Sequence, residues 1–350
     1  MHLKKWNKSI IGWLSLSILL LGLGIFSIFP IPYFVIQPGE AVTAAQIVDV
    51  KQSKTASSGE FLLTTISMRE AKMFDYLHTY LFPHTELVDQ TEVLARYESE
   101  AEYEKRQETN MKNSQNKAVL AAFQQANLPI SSEMTGIEVV GLVDDSQRGD
   151  ELRVGDILLA INGVKLQSVS HLLEILKPLA VGEQVVVNLQ RGQELMKEPV
   201  RLIALPTDDG KDKARAGLGI LPMEMLTVKS EPQVEINAEN IGGPSAGLMF
   251  ALEILDQLSP EDLTQGMKIA GTGTISENGE VGQIGGIEHK IIAANREKAQ
   301  IFFCPKDRSP EDSNEKVVKQ IADELNIKVK IVPVRTLSEA IAYLQDIASG

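Results

Sequence analysis

A run of 21 residues without a charged side chain, Ser9 to Phe29, most constrains what this chain can fold into. A helix rises about 1.5 Å per residue, so the run matches a hydrocarbon core about 30 Å thick. Lysines occupy positions 4, 5 and 8, whereas the first charge after the run is Glu40. The positive-inside rule therefore predicts a cytoplasmic N-terminus at 1–8, a transmembrane anchor at 9–29 in the cell membrane, and an extracellular remainder.

A cleaved signal peptide is the alternative interpretation of this run. Its apolar region would be about 7 to 15 residues long and would end at a small-residue cleavage site. Here the run is longer and its exit reads Phe29-Pro30-Ile31-Pro32-Tyr33. The uncleaved anchor, with the lipid bilayer as its partner, is favoured.

The composition excludes several classes of function. A chain of 350 residues is long enough for two or three domains. Its net charge of −13 argues against a nucleic-acid partner, because nothing offsets repulsion by phosphates. Cys304 is the only cysteine, and the five histidines include no HExxH pair. We therefore predict no cofactor and no catalytic metal.

Residues 30–130 carry less information. A strand at Gly59–Ser67 and a helix at Glu70–Phe82, ended by Pro83, are predicted from periodicity for the segment 30–85. Residues 86–130 are polar, charged and almost free of Gly and Pro, with apolar residues recurring irregularly. One or two exposed helices acting as a solvated spacer are the favoured interpretation.

Residues 131–205 change to short strands around one amphipathic helix, Ser168–Leu179. The landmark is the strand Ile157–Ile161, flanked by the turn-forming pairs Gly155-Asp156 and Asn162-Gly163. This pattern resembles the PDZ domain, which implies binding of an extended peptide beside a sheet edge. A β-rich domain with a purely packing role is the alternative.

Residues 206–350 begin with a polar linker and then read as a mixed α/β domain. The strand Val234–Ala238 leads into Gly243-Pro244-Ser245-Ala246-Gly247, and an apolar helix follows at Leu248–Leu258. Such a turn places the Ser245 hydroxyl at a helix N-terminus, where neighbouring N–H groups stabilise an oxyanion. A serine that only caps the helix is an equally good interpretation of the turn alone.

Lys290 is the second candidate reactive residue. It follows Gly285-Gly286 in the first turn of a predicted helix, Glu288–Ala299, beside several isoleucines. The positive end of the helix dipole and burial both lower the pKa of an ammonium group, here from about 10.4 toward neutrality. A neutral amine can act as a general base toward Ser245. A surface lysine is the alternative.

Five pieces in order now carry a closer resemblance: Gly243–Gly247, Gly271–Ser276, Gly279–Val281, Ile284–Ile287 and Lys290. Together they resemble the ordered signature of the Lon protease proteolytic domain. The resemblance implies that Ser245 is the nucleophile and Lys290 the base, that Thr272 holds Lys290 in place, and that Gly243 and Ala246 support the turn. It also implies that the segment 30–85 belongs to the protease fold, with Glu86–Leu205 inserted into it.

Two departures qualify the resemblance. Lon proper usually carries an acidic residue three positions before the serine, and here that position is Gly242, although Glu239 and Asn240 are candidate substitutes. No GxxxxGK[ST] phosphate loop occurs in the sequence. The whole arrangement is similar to membrane-anchored, PDZ-containing Lon-like serine proteases of bacteria.

The predicted fold class is therefore an α/β (α+β) Lon-type domain with an inserted PDZ domain and an N-terminal transmembrane helix. The predicted function is ATP-independent endoproteolysis of extracellular peptides, unfolded proteins or membrane-tethered proteins that the PDZ domain recruits. Lon-type domains commonly form rings, so a homo-oligomer is also expected. The alternative function is a non-catalytic PDZ scaffold at the outer membrane face. A trypsin-like site is excluded because it needs His and Asp partners and a different serine context.

Overall fold

The computed structural model describes residues 8–53, 57–82, 84–95, 98–143, 151–205, 215–238 and 241–349. Most of the predicted cytoplasmic N-terminus, Pro83, the linker at 206–214 and the pair Glu239 and Asn240 lie outside these residues. The chain divides into two compact units. One comprises Met1–Gly39 with Ile66–Val93, and the other comprises Glu40–Thr65 with Leu94–Gly350.

The helices of the described residues are α1 (Lys8–Ser27), α2 (Met73–Leu81), α3 (Gln90–Val93), α4 (Glu100–Gln125), α5 (Val169–Leu176), α6 (Gly247–Leu258), α7 (Ile287–Arg296), α8 (Asn314–Glu324) and α9 (Leu337–Ser349). The strands are β1 (Pro30–Thr43), β2 (Val48–Val50), β3 (Glu60–Lys72), β4 (Glu86–Asp89), β5 (Ile130–Leu142), β6 (Ile157–Ile161), β7 (Val164–Lys165), β8 (Gln184–Arg191), β9 (Glu194–Arg201), β10 (Ile203–Leu205), β11 (Arg215–Gly217), β12 (Ile220–Ser230), β13 (Val234–Ile236), β14 (Lys268–Gly271), β15 (Thr274–Ile275), β16 (Val281–Gly282), β17 (Ile301–Pro305) and β18 (Lys330–Val334).

The smaller unit holds α1, α2, α3 and β4. The first part of β1 pairs with β4 in antiparallel orientation, with Tyr33 opposite Asp89. Arg69 forms two hydrogen bonds to the buried carboxylate of Asp75 near the start of α2. Among the helices of the described residues, none has both the length and the apolar character needed to cross a membrane. This finding does not support the anchor predicted at 9–29, which stays a prediction from the sequence.

The larger unit is built on parallel strands in the order β18-β17-β14-β3. The first part of β3 pairs with β14, so residues far upstream of the predicted catalytic domain complete its central sheet. Successive strand residues face opposite sides of a sheet. Phe303 accordingly packs in one core with α6 and α9, whereas Phe302 packs in a second core with α7 and α8.

Helix α4 overturns the prediction of a solvated spacer. A capping box formed by Ser99 and Glu102 starts this helix at Glu100. Its C-terminal part, Ala118–Phe123, is buried in the same core as α6. The sequence hides this because the first half of α4 is highly charged and its apolar residues lack a regular period. The segment is an internal element of the larger unit.

A separate sheet in the order β12-β5-β6-β8-β9 forms the β-rich domain, and β7 pairs with β6. Its core includes Leu218 and Ile220, which lie beyond the predicted boundary at Leu205. β12 pairs with β5 along almost its whole length, from Ile220 opposite Leu142 to Ser230 opposite Ile130. The sheet of this domain therefore continues beyond Leu205 into β12, whereas the far end of the paired strands, at Ile130 and Val228, packs against the core that contains α6.

Candidate active site

The turn that carries Ser245 is shaped by glycines. Gly243 has a φ of +82°, a backbone conformation that residues with a side chain rarely adopt. At Gly247 an added Cβ would lie 2.7 Å from Ile275 Cγ2 and 2.8 Å from Ser114 Oγ, so only glycine lets α6 approach so closely. Ala246, not Ser245, is the N-cap of α6, and no side chain caps this helix end. The interpretation of Ser245 as a simple cap is therefore wrong.

Lys290 lies in the first turn of α7, which begins after Gly286 in the left-handed conformation. Its side chain is 3% exposed, so it is not a surface lysine. The Lys290 Nζ donates a hydrogen bond to Ser245 Oγ over 2.6 Å. The structure thus brings together the two residues that the sequence paired, 45 positions apart.

Thr272 lies between the two reactive groups and is fully buried. Its hydroxyl accepts a hydrogen bond from Lys290 Nζ over 3.2 Å and donates one to the carbonyl oxygen of Ser245 over 3.0 Å. The N–H of Gly273 donates to the same carbonyl over 2.8 Å. The segment after β14 therefore fixes both the lysine and the backbone of the turn Gly243–Gly247, which we call the nucleophile turn after the predicted role of Ser245.

The electrostatics of the site suit a lysine base. Burial lowers the pKa of Lys290 from its ordinary value of 10.5 to about 8. Three isoleucines of α7, Ile287, Ile291 and Ile292, are buried in the core around Phe302. With this pKa about one lysine in ten is neutral at pH 7, far more than for an ordinary lysine, and the neutral amine can accept a proton.

Two backbone N–H groups of the turn are candidate oxyanion donors. A trans peptide is planar, so its N–H points away from its carbonyl oxygen. The Pro244 carbonyl accepts a hydrogen bond from Ser114 Oγ over 2.8 Å, which orients the N–H of Ser245. The Ser245 carbonyl is held by Thr272 and Gly273, which orients the N–H of Ala246. Within the described residues neither N–H has a hydrogen-bond acceptor.

Helix α4 packs closely against Gly242, the position where an acidic residue was expected. An added Cβ at Gly242 would lie 3.1 Å from Gln107 Cβ, and one at Gly243 would lie 3.1 Å from Gln107 Oε1. The N–H of Gly243 also donates to the Gln107 carbonyl over 3.1 Å. The candidate substitutes Glu239 and Asn240 lie outside the described residues.

Sequence reasoning missed Gln107 and Ser114. The signal that points to them is their separation of seven residues, which puts both on one face of α4. Nothing in the sequence indicates that this face meets the nucleophile turn. That contact exists only because the chain folds back on itself.

A cleft of about 590 Å³ lies beside the nucleophile turn. It is bordered by α4, β12 and the β15–β16 hairpin, and it reaches Pro244, the residue before Ser245. The lining side chains include Asn110, Asn113, Lys117, Met223, Lys306 and Arg308. Its lining thus includes Pro244 from the turn and Met223 from β12 of the β-rich domain.

The β-rich domain presents β12 as an edge strand, since β5 is its partner among the described strands. Helix α5 packs near β12, and the N–H of Val169 at its start donates to Glu224 Oε1 on β12 over 2.6 Å. Inside the domain the guanidinium of Arg191 forms two hydrogen bonds to the buried carboxylate of Asp156. This pair fixes the Gly155-Asp156 turn that the sequence identified.

Comparison with known proteins defines the class of both domains. Residues 233–345 match the family model of the Lon protease (S16) C-terminal proteolytic domain. Residues 147–191 match the PDZ domain model. The chain therefore contains a proteolytic domain of the Lon type, which supports a serine peptidase, and a peptide-recognition domain of the PDZ type.

Individual relatives agree with this assignment. The Lon protease of Metamycoplasma arthritidis is 35% identical over 102 residues, covering 29% of this chain and 11% of that protein. The archaeal Lon protease of Halobacterium salinarum is 32% identical over 108 residues, covering 31% of this chain and 14% of that protein. The chain thus spans little more than a tenth of the length of these relatives.

Among solved structures, the PDZ domain of the SdrC-like protein from Listeria monocytogenes is similar to part of this chain. It is 25% identical with a TM-score of 0.22, and the match covers 25% of this chain and 86% of that one.

Proposed function

We propose that this chain is a serine endopeptidase in which Ser245 is the nucleophile and Lys290 the general base. The observation that carries the proposal is the 2.6 Å hydrogen bond between a buried lysine amine and the Ser245 hydroxyl. Similarity to Lon proteases over residues 233–345 supports the same chemistry. The PDZ domain supplies recognition of a peptide or protein substrate.

The proposed reaction has two stages. Neutral Lys290 accepts the hydroxyl proton as Ser245 Oγ attacks the carbonyl carbon of the scissile peptide bond. The N–H groups of Ser245 and Ala246 stabilise the oxyanion that forms. The lysine then gives the proton to the leaving amine as the C–N bond breaks. Water then attacks the acyl-enzyme while Lys290 accepts its proton. Lys290 returns this proton to Ser245 Oγ as the ester bond breaks, which releases the acid product and restores both groups.

The substrate approaches through the cleft beside Pro244, which joins the nucleophile turn to β12. An extended peptide that pairs with the edge of β12 beside α5 brings its neighbouring segment to this cleft. Substrates are exposed peptides, unfolded segments or small membrane-tethered proteins. Since the sequence has no phosphate loop, we propose that cleavage needs no ATP.

Location outside the membrane is a further part of the proposal. Its support is the uncharged run at 9–29 with the three lysines before it. The full chain should stay in the membrane pellet after an alkaline carbonate wash, whereas a variant lacking residues 1–29 should be released. Release of the full chain would contradict the anchor.

The direct test of the activity is cleavage of a fluorogenic casein peptide by the purified full chain without ATP. Ser245→Ala and Lys290→Ala should each abolish cleavage, while their far-ultraviolet circular dichroism matches that of the wild type. Full activity in either variant would refute the dyad. No turnover by the wild type on unfolded substrates would favour the non-catalytic scaffold.

A further inference from the structure

Helix α4 presents two opposite faces to two different parts of the larger unit. A helix turns about 100° per residue, so residues seven apart share a face and residues two apart lie on nearly opposite faces. Gln107 and Ser114 share one face, and Thr109 and Asn116 share the other. Each pair makes hydrogen bonds, and the two sets of partners differ.

The first face holds the nucleophile turn. The Gln107 carbonyl accepts a hydrogen bond from the N–H of Gly243, and the buried Ser114 hydroxyl donates to the carbonyl of Pro244. Gly243 and Pro244 are the two residues directly before the nucleophile. The contact to Pro244 acts on the peptide plane whose N–H belongs to Ser245.

The second face is held by the PDZ domain. Asn116 Nδ2 donates to the carbonyl of Leu226 on β12 over 2.8 Å. Thr109 Oγ1 donates to Glu138 Oε2 on β5 over 3.1 Å, and both side chains are buried. β12 is the edge strand to which a peptide would be added. The same helix therefore touches the proposed recognition strand and the proposed nucleophile turn.

We propose that α4 couples the PDZ domain to catalysis, with Ser114 as a positioning residue that aims the N–H of Ser245 at the oxyanion. This inference rests on the proposed function, because it concerns regulation of the same site. A peptide that pairs with β12 moves or stiffens the Leu226 contact, α4 transmits the change, and the nucleophile turn becomes better ordered. Gln107 and Ser114 thereby hold the nucleophile turn by hydrogen bonds, whereas Gly242 has no side chain that could do so.

The first test separates positioning from folding and from substrate binding. Ser114→Ala should lower kcat on the casein peptide about 10- to 100-fold, because misaligned oxyanion donors lose part of the catalysis they supply. KM should stay within about twofold, and the apparent pKa of the pH–rate profile should match the wild type, because Ser114 does not contact Lys290. Lys112→Ala, an exposed position on the same helix, is the matched control and should leave kcat unchanged. An unchanged kcat in Ser114→Ala would overturn the positioning role.

The second test addresses the coupling. Asn116→Asp removes the donor to Leu226 and places a carboxylate against that carbonyl, without touching the turn. We expect a fall in kcat of about fivefold or more. Gln115→Glu makes the same amide-to-carboxylate change at the neighbouring position and should leave kcat within about twofold. If Asn116→Asp behaves like Gln115→Glu, the coupling is wrong.

Hydrogen exchange distinguishes failure of this inference from failure of the proposed function. The N–H of Gly243 should exchange faster in Ser114→Ala and in Asn116→Asp than in the wild type and the two control variants. This measurement needs no turnover, so it applies even if the wild type cleaves nothing. Unchanged exchange at Gly243 in Asn116→Asp would refute the connection whatever the activity is.

Discussion

Replacing Lys290 by methionine tests the buried base in two independent ways. Methionine has a similar length and no charge, so it fills the same space without the cost of burying an ammonium group. Lowering the pKa of Lys290 from 10.5 to about 8 corresponds to roughly 3 kcal/mol of folding free energy. The variant should lose cleavage activity and yet become more stable at neutral pH.

The sign of the pH dependence follows from proton linkage. Between pH 8 and pH 10.5 the unfolded chain keeps the proton on this lysine while the folded chain has released it. Stability rises with pH wherever the unfolded state binds more protons, so the penalty of the wild type disappears across this range. The stability gain of Lys290→Met should therefore be larger at pH 7 than at pH 10 by about 2.5 kcal/mol. The hydrogen bonds lost to Ser245 and Thr272 cancel in this difference.

Urea unfolding of both proteins at pH 7, 8, 9 and 10, followed by far-ultraviolet circular dichroism, measures the quantity directly. Lys112→Met, at an exposed position on α4, is the control and should give a difference that hardly varies with pH. A pH-independent difference for Lys290→Met would refute burial as the cause of the lowered pKa. If the stability gain of Lys290→Met over the wild type is smaller at pH 7 than at pH 10, the predicted direction of the pH dependence is wrong.

Three further outcomes are expected. The value of kcat/KM should rise with pH and level off with an apparent pKa of about 8, because only neutral Lys290 accepts a proton. A value of kcat/KM that falls through this pH range would exclude Lys290 as the base. Thr272→Val should lower kcat about 10- to 100-fold in stopped assays at saturating peptide, since it removes the hydroxyl that holds Lys290 and the carbonyl of Ser245. A normal kcat would show that this hydroxyl is dispensable. Arg191→Ala should lower the free energy of unfolding of the PDZ domain by about 3 kcal/mol in urea, because it removes the guanidinium partner of the buried Asp156 carboxylate. A decrease below about 1 kcal/mol would contradict a stabilising role of this ion pair.

The fold was most predictable in short elements with a regular apolar period and clear boundary residues. The predicted helix Glu288–Ala299 appears as α7 at Ile287–Arg296, and the predicted helix Leu248–Leu258 appears as α6 at Gly247–Leu258. Each is short, strongly patterned and bounded by glycine or proline. Residues 86–130 were the opposite case, because a charged surface and an irregular apolar pattern concealed a helix that is buried along one side. The PDZ boundary failed for a related reason, since β12 pairs with a strand about 90 residues earlier.

The sequence by itself determined which groups are the candidates for the chemistry. A serine in a glycine-rich turn and a lysine in the first turn of a helix were identified from residue type, spacing and resemblance. The tertiary structure decided that Lys290 Nζ and Ser245 Oγ meet, that the lysine is buried, and that α4 stands over the nucleophile turn. Spacing along a chain specifies faces of helices and strands, but which faces meet depends on long-range packing, and no local pattern records it.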